Sequence, residues 1–556
     1  MLGSLLKGGI EVTNDAAEAD VMIVNTCSFI DAAQEESVDT ILESAELREA
    51  KHHGQALVVS GCLPQRFREE LPKLLPEVDA FMGIDQVQKA AEIVEAAAAR
   101  RQEKLQTPTS KPQRSSKVQA PNRTAALVGH LAAVEEGGPA RQHDQDENIR
   151  ATQRFGNTAT TVIPKASAPL ATHHELRTGP LMEVNPRPKY IPDYATPRFR
   201  LTPEHFAYVK IAEGCNHPCS FCIIPRMRGS HRSRAQADIV AEARALLADG
   251  VRELNLISQD STYYGLDLRP NHSRAIAAPE KFNAAVKSLA EDATTICTLL
   301  RELNDLDGDF WIRLLYTHPA HWTDELIQTI ADCPKVARYI DIPLQHIHEN
   351  MLERMRRETS QAYITDLIRR IRGGVPGIAL RTTFIVGFPG ETESCFQTLL
   401  DFIRETKFER LGVLTYSREE GTRAGSMAGQ ISDKIKNRRR QLAMAAQHEV
   451  AVGVAQSCVG RVMKVLVEKE ASAAELKRAK ISSWEHGLIR GHDDGAGQLR
   501  GNYLVSRAEA DAPDIDGRVY VKVRGARSHA KNPTAGEFAD VRIIGHTDYD
   551  LIAEPL

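Results

Sequence analysis

AYVKIAEGCNHPCSFC, residues 207–222, is a strand-like run that stops at a glycine and opens onto three cysteines. The alternation of apolar residues before Gly214 suits a β-strand. Cys215, Cys219 and Cys222 follow at C-x3-C-x2-C spacing in what reads as a loop. Three thiolates so spaced can ligate three irons of one cuboidal 4Fe–4S cluster and leave the fourth iron open. An open iron can chelate the amino and carboxylate groups of S-adenosylmethionine (SAM). Electron transfer into the sulfonium then breaks a C–S bond and gives a 5′-deoxyadenosyl radical. These three cysteines are therefore the candidate catalytic and metal-ligating residues. A zinc site completed by His217 or by a distant residue is the competing assignment, but structural zinc usually pairs two C-x2-C arms, which the chain lacks.

Toward the C-terminus the same strand–helix alternation repeats. Strands are expected at 207–214, 253–258, 310–316, 337–344, 379–387 and 409–416, with helices between them at 235–249, 322–332 and 391–406. Six βα units in sequence predict a curved parallel sheet, a partial barrel with its chemistry at the C-terminal strand ends. Residues expected at those ends are Ser258, Gln259 and Asp260, then Asp341, Gln345 and His346, then the GFPGE turn of Gly387, Phe388, Pro389, Gly390 and Glu391. Ser258, Gln259, Asp341, Gln345 and the GFPGE residues are the candidate SAM contacts, although each alone could be a satisfied polar turn. Arg226, Arg228, Arg232 and Arg234 could neutralise a cluster or line a solvated loop. Past a helix at about 431–457, runs such as VGRVMKVLVEK, GRVYVKVRG and FADVRIIG predict a small antiparallel β-barrel.

Toward the N-terminus, residues 19–26, 56–61 and 79–84 read as strands of a parallel α/β domain. Cys27 and Cys62 follow two of these strands. Consecutive parallel strands point the same way, so both thiols reach one sheet edge, where such domains bind ligands. They are candidate ligands of a second cluster, or else two small buried residues. Cys297, Cys333, Cys395 and Cys458 are taken as packing residues. Residues 103–200 hold 11 of the 27 prolines and no cysteine, and read as a largely disordered linker or insertion. The expected domains are 1–102, 103–200, 201–455 and 456–556. The net charge of −4 gives no sign of a protein that coats nucleic acid or membrane. No signal peptide or membrane span is read, so the expectation is a cytoplasmic protein that does not engage a membrane.

The chain resembles the radical-SAM methylthiotransferases everywhere except 103–200. The matching runs are EADVMIVNTCSFIDAAQEES, VVSGCLPQR, YVKIAEGCNHPCSFCIIPRMRG, ISQDST, YIDIPLQH and TTFIVGFPGETE. NTCSFIDAA, GCNHPCSFCIIP and SRAEADAPDIDG are most similar to the RimO branch, and the C-terminal barrel resembles that family's TRAM domain. The resemblance implies two 4Fe–4S clusters, SAM as radical source and as methyl donor, and a reaction replacing C–H by C–S–CH3. Its implied target is the β-carbon of an aspartate in ribosomal small-subunit protein S12, free or in the small subunit. It further implies an electron donor such as flavodoxin or ferredoxin, and a monomer. The family's first strand, ending in a third cysteine within a GCPKN-like turn, has no counterpart in MLGSLLKGGIEVTNDAAEAD. A start placed too late is the expected reason, and the sheet should then show an open edge. Two rival readings are a tRNA adenosine methylthiotransferase and a non-catalytic iron–sulfur or zinc protein that binds RNA. Residues 501–556 hold seven Lys and Arg against nine Asp and Glu. The stretch Glu509, Asp511, Asp514, Asp516 is expected to repel phosphate and favour a basic protein substrate.

Overall fold

The computed structural model describes residues 1–106, 127, 131, 160–164, 179–269, 278–472, 482–483, 488–489, 502–524 and 532–556. They form two compact units. The first comprises Met1–Arg200, Phe221–Gly229 and Ser417–Ser426, and the second Leu201–Ser220, Ser230–Tyr416 and Met427–Leu556.

The first unit is built on strands β1 (Ile10–Thr13), β2 (Val21–Thr26), β3 (Ala56–Gly61), β4 (Ala80–Met82), β5 (Thr160–Pro164) and β6 (Leu181–Glu183), in the order β1-β5-β2-β3-β4-β6. β2, β3, β4 and β6 are parallel. Both faces of this sheet are covered, which is why its strands read as continuous apolar runs. Met22, Val24, Leu57, Val59 and Phe81 pack under Val38, Ile41 and Leu42 of the helix Asp31–Lys51. The intervening Val21, Ile23, Ala56, Val58 and Ala80 face Ile93, Val94 and Ala97 of the helix Ala90–Gln106. This two-residue alternation fixes the register, because a one-residue slip would exchange the two faces.

The edge of β2 expected to be open is occupied. β5 pairs antiparallel with both β2 and β1. Its sequence, TTVIP, comes from the segment 103–200, most of which lies outside the described residues. β6 comes from the same segment, and Leu127 and Leu131 join the apolar cluster beneath the helix Asp31–Lys51. β5 and β6 are three to five residues long and lie among prolines, so their sequence carries too few apolar repeats to register as strands. β1 is equally hard to read, its four residues offering only two alternations.

The second unit contains the expected six parallel strands. They are β7 (Phe206–Lys210), β10 (Glu253–Ile257), β11 (Trp311–Leu314), β12 (Tyr339–Asp341), β13 (Ala379–Val386) and β14 (Arg410–Thr415), with the two-residue strands β8 (Ala212–Glu213) and β9 (Arg232–Ser233) between the first two. They form the ladders β11-β10-β7 and β12-β13-β14, and a parallel bridge between Ile312 and Val336 lies where the two meet. Helices Gln236–Ala248, Asp324–Asp332 and Glu393–Thr406 stand within three residues of their expected positions. Thr323 and Thr392 cap the last two by accepting N–H donation from Leu326 and Cys395.

After the helix Asp433–Cys458 the chain forms a closed barrel of β15 (Val462–Ser472), β18 (Asn502–Ala508), β19 (Val519–Lys522), β21 (Leu551–Pro555) and β20 (Phe538–His546). The short β16 (Ser482–Ser483) and β17 (Leu488–Ile489) pair with each other. Strand directions cannot alternate around an odd-numbered ring, so one ladder must be parallel, and it is β19 with β21.

The acidic stretch before β19 is not the exposed patch its sequence suggested. Asp511 is buried and accepts from Arg410 Nε at 3.0 Å. Asp516 is buried, accepting from Tyr339 Oη at 2.7 Å and the Ala512 amide at 3.0 Å. Glu509 accepts from the Arg338 amide at 2.9 Å. Only Asp514 is exposed. Arginines on the partial-barrel strands, far off in sequence, explain why so many carboxylates can be buried.

Candidate active site

The three clustered cysteines stand where the first barrel strand ends. The β8–β9 ladder, Ala212 with Ser233 and Glu213 with Arg232, closes the base of their loop. Gly214 leaves the strand at φ +82°, a conformation that favours glycine. Its amide donates to Gln259 Oε1 at 2.6 Å, tying the loop to the end of β10. Cys215 is buried and Cys219 partly so. The His217 amide points at Cys215 Sγ at 3.5 Å. Arg357 Nη1 donates to Cys219 Sγ at 3.5 Å, while its Nη2 is held by the Pro343 carbonyl at 2.6 Å. Cys222 lies in the Phe221–Gly229 segment of the first unit and is partly buried. All nine cysteines are free thiols. Free thiols at this spacing, one of them facing a guanidinium, fit a group bound by thiolates, since the cation offsets the charge such a site gathers.

Around this loop the second unit buries a polar cluster in which sequence reading singled out Asp260 and His217 but not His318 or His321. Asp260 Oδ2 accepts from His217 Nε2 and from His321 Nδ1, both at 2.8 Å. Its Oδ1 caps a short turn through the Thr262 amide at 3.1 Å. His318 stacks on His217 with ring centroids 3.5 Å apart. One ring nitrogen from each of His217, His318 and His321 lies within 4.8 Å of the others, a spacing a metal ion could bridge. Burial drives His217 down to about 4 despite the carboxylate beside it, so its imidazole is neutral. Burial alone would raise Asp260, but His321 and His217 hold it well below the ordinary carboxylate range. The result is an ionised carboxylate that orients two imidazoles against the cysteine loop. The one sequence signal for His318 and His321 is positional, because THPAH (317–321) directly follows the third barrel strand.

Most of the expected SAM-contacting residues stand at C-terminal strand ends, and several are already partnered within the protein. Ser258 Oγ accepts from the Asp260 amide at 3.1 Å. Asp341 is bound by Arg381 Nη1 at 2.5 Å and by the Tyr316 amide at 3.1 Å. Gln345 adopts φ +71° and its amide donates to the Thr383 carbonyl at 2.9 Å. In the GFPGE turn, Glu391 accepts from the Gly387 amide at 2.6 Å, Arg439 Nη1 at 2.7 Å and His346 Nε2 at 3.1 Å. Gly390 has φ +82°, and a Cβ there would come within 3.0 Å of the Arg354 guanidinium. Arg354 Nε in turn donates to the Pro389 carbonyl at 2.9 Å. Phe388 is fully buried, edge-on to Tyr416.

In the first unit, the register of β2 on β3 sets Thr26 beside Gly61. The next residues, Cys27 and Cys62, therefore leave adjacent strands at the same edge, as expected. Gly61 takes φ +106°, and a Cβ there would strike the Thr26 carbonyl at 2.5 Å, so the two strand ends approach closely only because this residue is glycine. Cys62 opens the helix Cys62–Arg66 and packs against Ile223 and Met227. Arg228 Nη2 reaches Cys62 Sγ at 3.6 Å. Arg66 donates to the Ser28 carbonyl at 2.8 Å and pairs with Glu419 at 3.1 Å. Burial, then the charge of Asp31, push Glu419 up to about 7 in spite of Arg66.

Three family models match the chain. The radical SAM superfamily covers residues 209–403, the uncharacterized protein family UPF0004 residues 1–83, and the TRAM domain residues 494–556. A protein of Opitutus terrae named ribosomal protein uS12 methylthiotransferase RimO is 45% identical, spanning 100% of this chain and 93% of its own length. Proteins of the same name from Akkermansia muciniphila and Geobacter sulfurreducens are 42% and 37% identical, over 100% of this chain and 95% and 94% of their own lengths. Among the described residues, no helix is long and apolar enough to cross a membrane.

Proposed function

From the premise that the chain belongs to the RimO family of radical-SAM methylthiotransferases, we propose that it methylthiolates the β-carbon of an aspartate in ribosomal protein uS12. The observation that carries this reading is the pairing of two thiol sites. One is the loop of Cys215, Cys219 and Cys222, and the other is Cys27 with Cys62 at adjacent strand ends. A reduced 4Fe–4S cluster held by the first set supplies, when bound, the electron that splits SAM into methionine and a 5′-deoxyadenosyl radical. Cys27 and Cys62 would contribute two ligands to a second cluster supplying the sulfur-transfer chemistry, and a further SAM would give the methyl group.

The chain's own groups prepare the first site. Arg357 offsets thiolate charge at Cys219 and locks that side of the loop to Pro343. Gln259 fixes Gly214, the hinge from which Cys215 hangs. Burial keeps His217 neutral and Asp260 orients it, which sets the imidazole of the cysteine loop in place. Ser258, Gln345 and the backbone of Gly387–Gly390 are the strand-end groups proposed to receive SAM. Glu391 acts one step behind by accepting from the Gly387 amide and so fixing that turn, while Asp341 holds the Tyr316 amide just past β11.

The choice of uS12 rather than tRNA as the substrate rests on the relatives' names. The charge argument keeps little surface support once Asp511 and Asp516 are buried. Mass spectrometry of uS12 from cells with and without the gene tests the proposal. One added methylthio group on an aspartate only when the gene is present is expected. Its absence from uS12 together with its presence on tRNA adenosine would transfer the assignment to the sister branch. A flavodoxin or ferredoxin is the expected electron donor, and the protein is expected to act as a monomer.

A further inference from the structure

Every residue from Phe310 to Trp322 is buried except one, Tyr316, whose side chain is 44% exposed. It stands two residues past the end of β11 and takes φ +58°. A left-handed backbone is uncommon for a bulky aromatic residue and persists only where the surroundings impose it. Here they do so from both sides. The Tyr316 amide donates to Asp341 Oδ2 at 3.1 Å, at the end of β12. Its carbonyl accepts from the Ser261 amide at 2.9 Å, beyond the end of β10. The Ser261 hydroxyl also donates to the Leu315 carbonyl at 2.6 Å. The neighbours in sequence are both committed to the interior. Leu315 packs in an apolar cluster with Tyr339, Ala379 and Ala512, and His318 stacks on His217 of the cysteine loop. The bend between them leaves one aromatic ring standing out at the C-terminal strand ends, two residues from an imidazole that packs on that loop.

We propose that Tyr316 is a substrate-contacting residue, whose hydroxyl donates to the carboxylate of the acceptor aspartate while its ring packs on the polypeptide beside it. This rests on the reading that the acceptor is an aspartate of uS12. Ser258, Asp341, Phe388 and Glu391, side chains at the same strand ends, are buried. A small cofactor is enclosed by the site that holds it, so an exposed ring suits a macromolecule arriving from outside. A phenol offers such a partner a flat apolar face and one polar tip. The hydroxyl is a neutral donor, and a carboxylate acceptor makes the bond a strong, charge-assisted one. The clamped backbone holds the ring in place before the substrate arrives, which favours binding by preorganisation. A residue serving only to pack the fold would gain nothing from a strained backbone and an exposed ring.

The test compares the full chain, anaerobically reconstituted, with its Tyr316→Phe and Tyr316→Asn variants. Phenylalanine keeps the ring and removes the hydroxyl, whereas asparagine removes both and adopts a left-handed backbone readily. Titration calorimetry measures the affinity for intact uS12 and for uS12 with its target aspartate replaced by alanine. Equilibrium dialysis measures the affinity for SAM, and a thermal melt gives Tm. Tyr316→Phe should bind intact uS12 about tenfold more weakly or worse, the scale of a hydrogen bond to a charged group. Against the alanine-substituted uS12 it should match the parent, because that bond is already gone. Tyr316→Asn should bind both forms more weakly while its Tm stays at or above the parent's. A parent chain that does not methylthiolate uS12 would defeat the substrate reading and the inference with it. If the parent does so and Tyr316→Phe binds intact uS12 equally well, the inference alone is overturned. Loss of SAM affinity in place of uS12 affinity would overturn it too, by assigning Tyr316 to the cofactor. So would a Tyr316→Asn chain that melts below the parent, by making the ring a packing element.

Discussion

At the scale of single residues, spacing along the chain and proximity in space carry different information. Cys215, Cys219 and Cys222 are legible in sequence because a cluster loop is local, with all three ligands within eight residues. Arg357, which donates to Cys219, lies 138 residues away, and His321, which shares Asp260 with His217, is 61 residues from that carboxylate. No pattern rule reaches such partners. The cysteine loop contributes ligands and little core, so Cys219→Ala should fold normally while failing to release 5′-deoxyadenosine from SAM under reducing conditions. Chromatographic detection of 5′-deoxyadenosine at the parent's rate would remove Cys219 from the site. Asp511 shows the opposite case, a residue whose sequence context misleads. Its neighbours suggested a solvated acidic face, whereas its carboxylate is buried on Arg410. Asp511→Ala should cost about 3–5 kcal/mol, the range for stranding a buried charge. A denaturant melt of the second unit measures this, and a change below about 1 kcal/mol would mean that Arg410 is satisfied elsewhere.

At the scale of elements, the strands of the partial barrel and of the parallel sheet are legible because each buries both faces and carries several apolar residues in a row. The strands that escape sequence reading, β1, β5 and β6, are held by pairing rather than by their own composition. β5 adds its backbone to the free edge of β2, where unpaired N–H and C=O groups would otherwise invite association. Excising β5 alone, residues 160–164, should therefore uncover that edge. The expected outcome is aggregation on concentration, with faster amide exchange in β2 than in β3, whose neighbour β4 is untouched. Equal protection of β2 and β3 in the excised chain would show that β5 contributes nothing to the sheet. Leu57, fully buried between β3 and the helix Asp31–Lys51, marks the element that such a lesion should spare. Truncating that side chain to Ala should cost about 2–5 kcal/mol by the usual cavity relation, and should destabilise both faces' strands together.

At the scale of the whole molecule, the two units carry titrating groups of opposite sense, so their stabilities should respond differently to pH. In the first unit, burial and the neighbouring charge of Asp31 raise Glu419 from the ordinary 4.5 to about 7. The folded unit therefore binds a proton there more tightly than the unfolded chain does. That contribution is complete below pH 4.5 and is lost as pH rises through about 7. Each tenfold change in proton affinity corresponds to about 1.4 kcal/mol, so the whole effect is at most about 3 kcal/mol. In the second unit, burial would raise Glu468, yet His205 and Arg507 bring it down to about 2. Its contribution is complete above pH 4.5 and disappears only in acid, as pH falls through about 2. Between pH 5 and 7, then, the Glu419 contribution should weaken while that of Glu468 stays level. Hydrogen-exchange mass spectrometry can follow both at once. Opening free energies would be taken from peptides of β2 and β3 and from peptides of β15 and β18, after correction for the intrinsic pH dependence of exchange. Glu419→Gln, which cannot ionise, should flatten the fall in the first unit and leave β15 and β18 unchanged. A first unit as stable at pH 7 as at pH 5 in the parent chain would mean that Arg66 outweighs burial at Glu419, and that this carboxylate is ionised throughout.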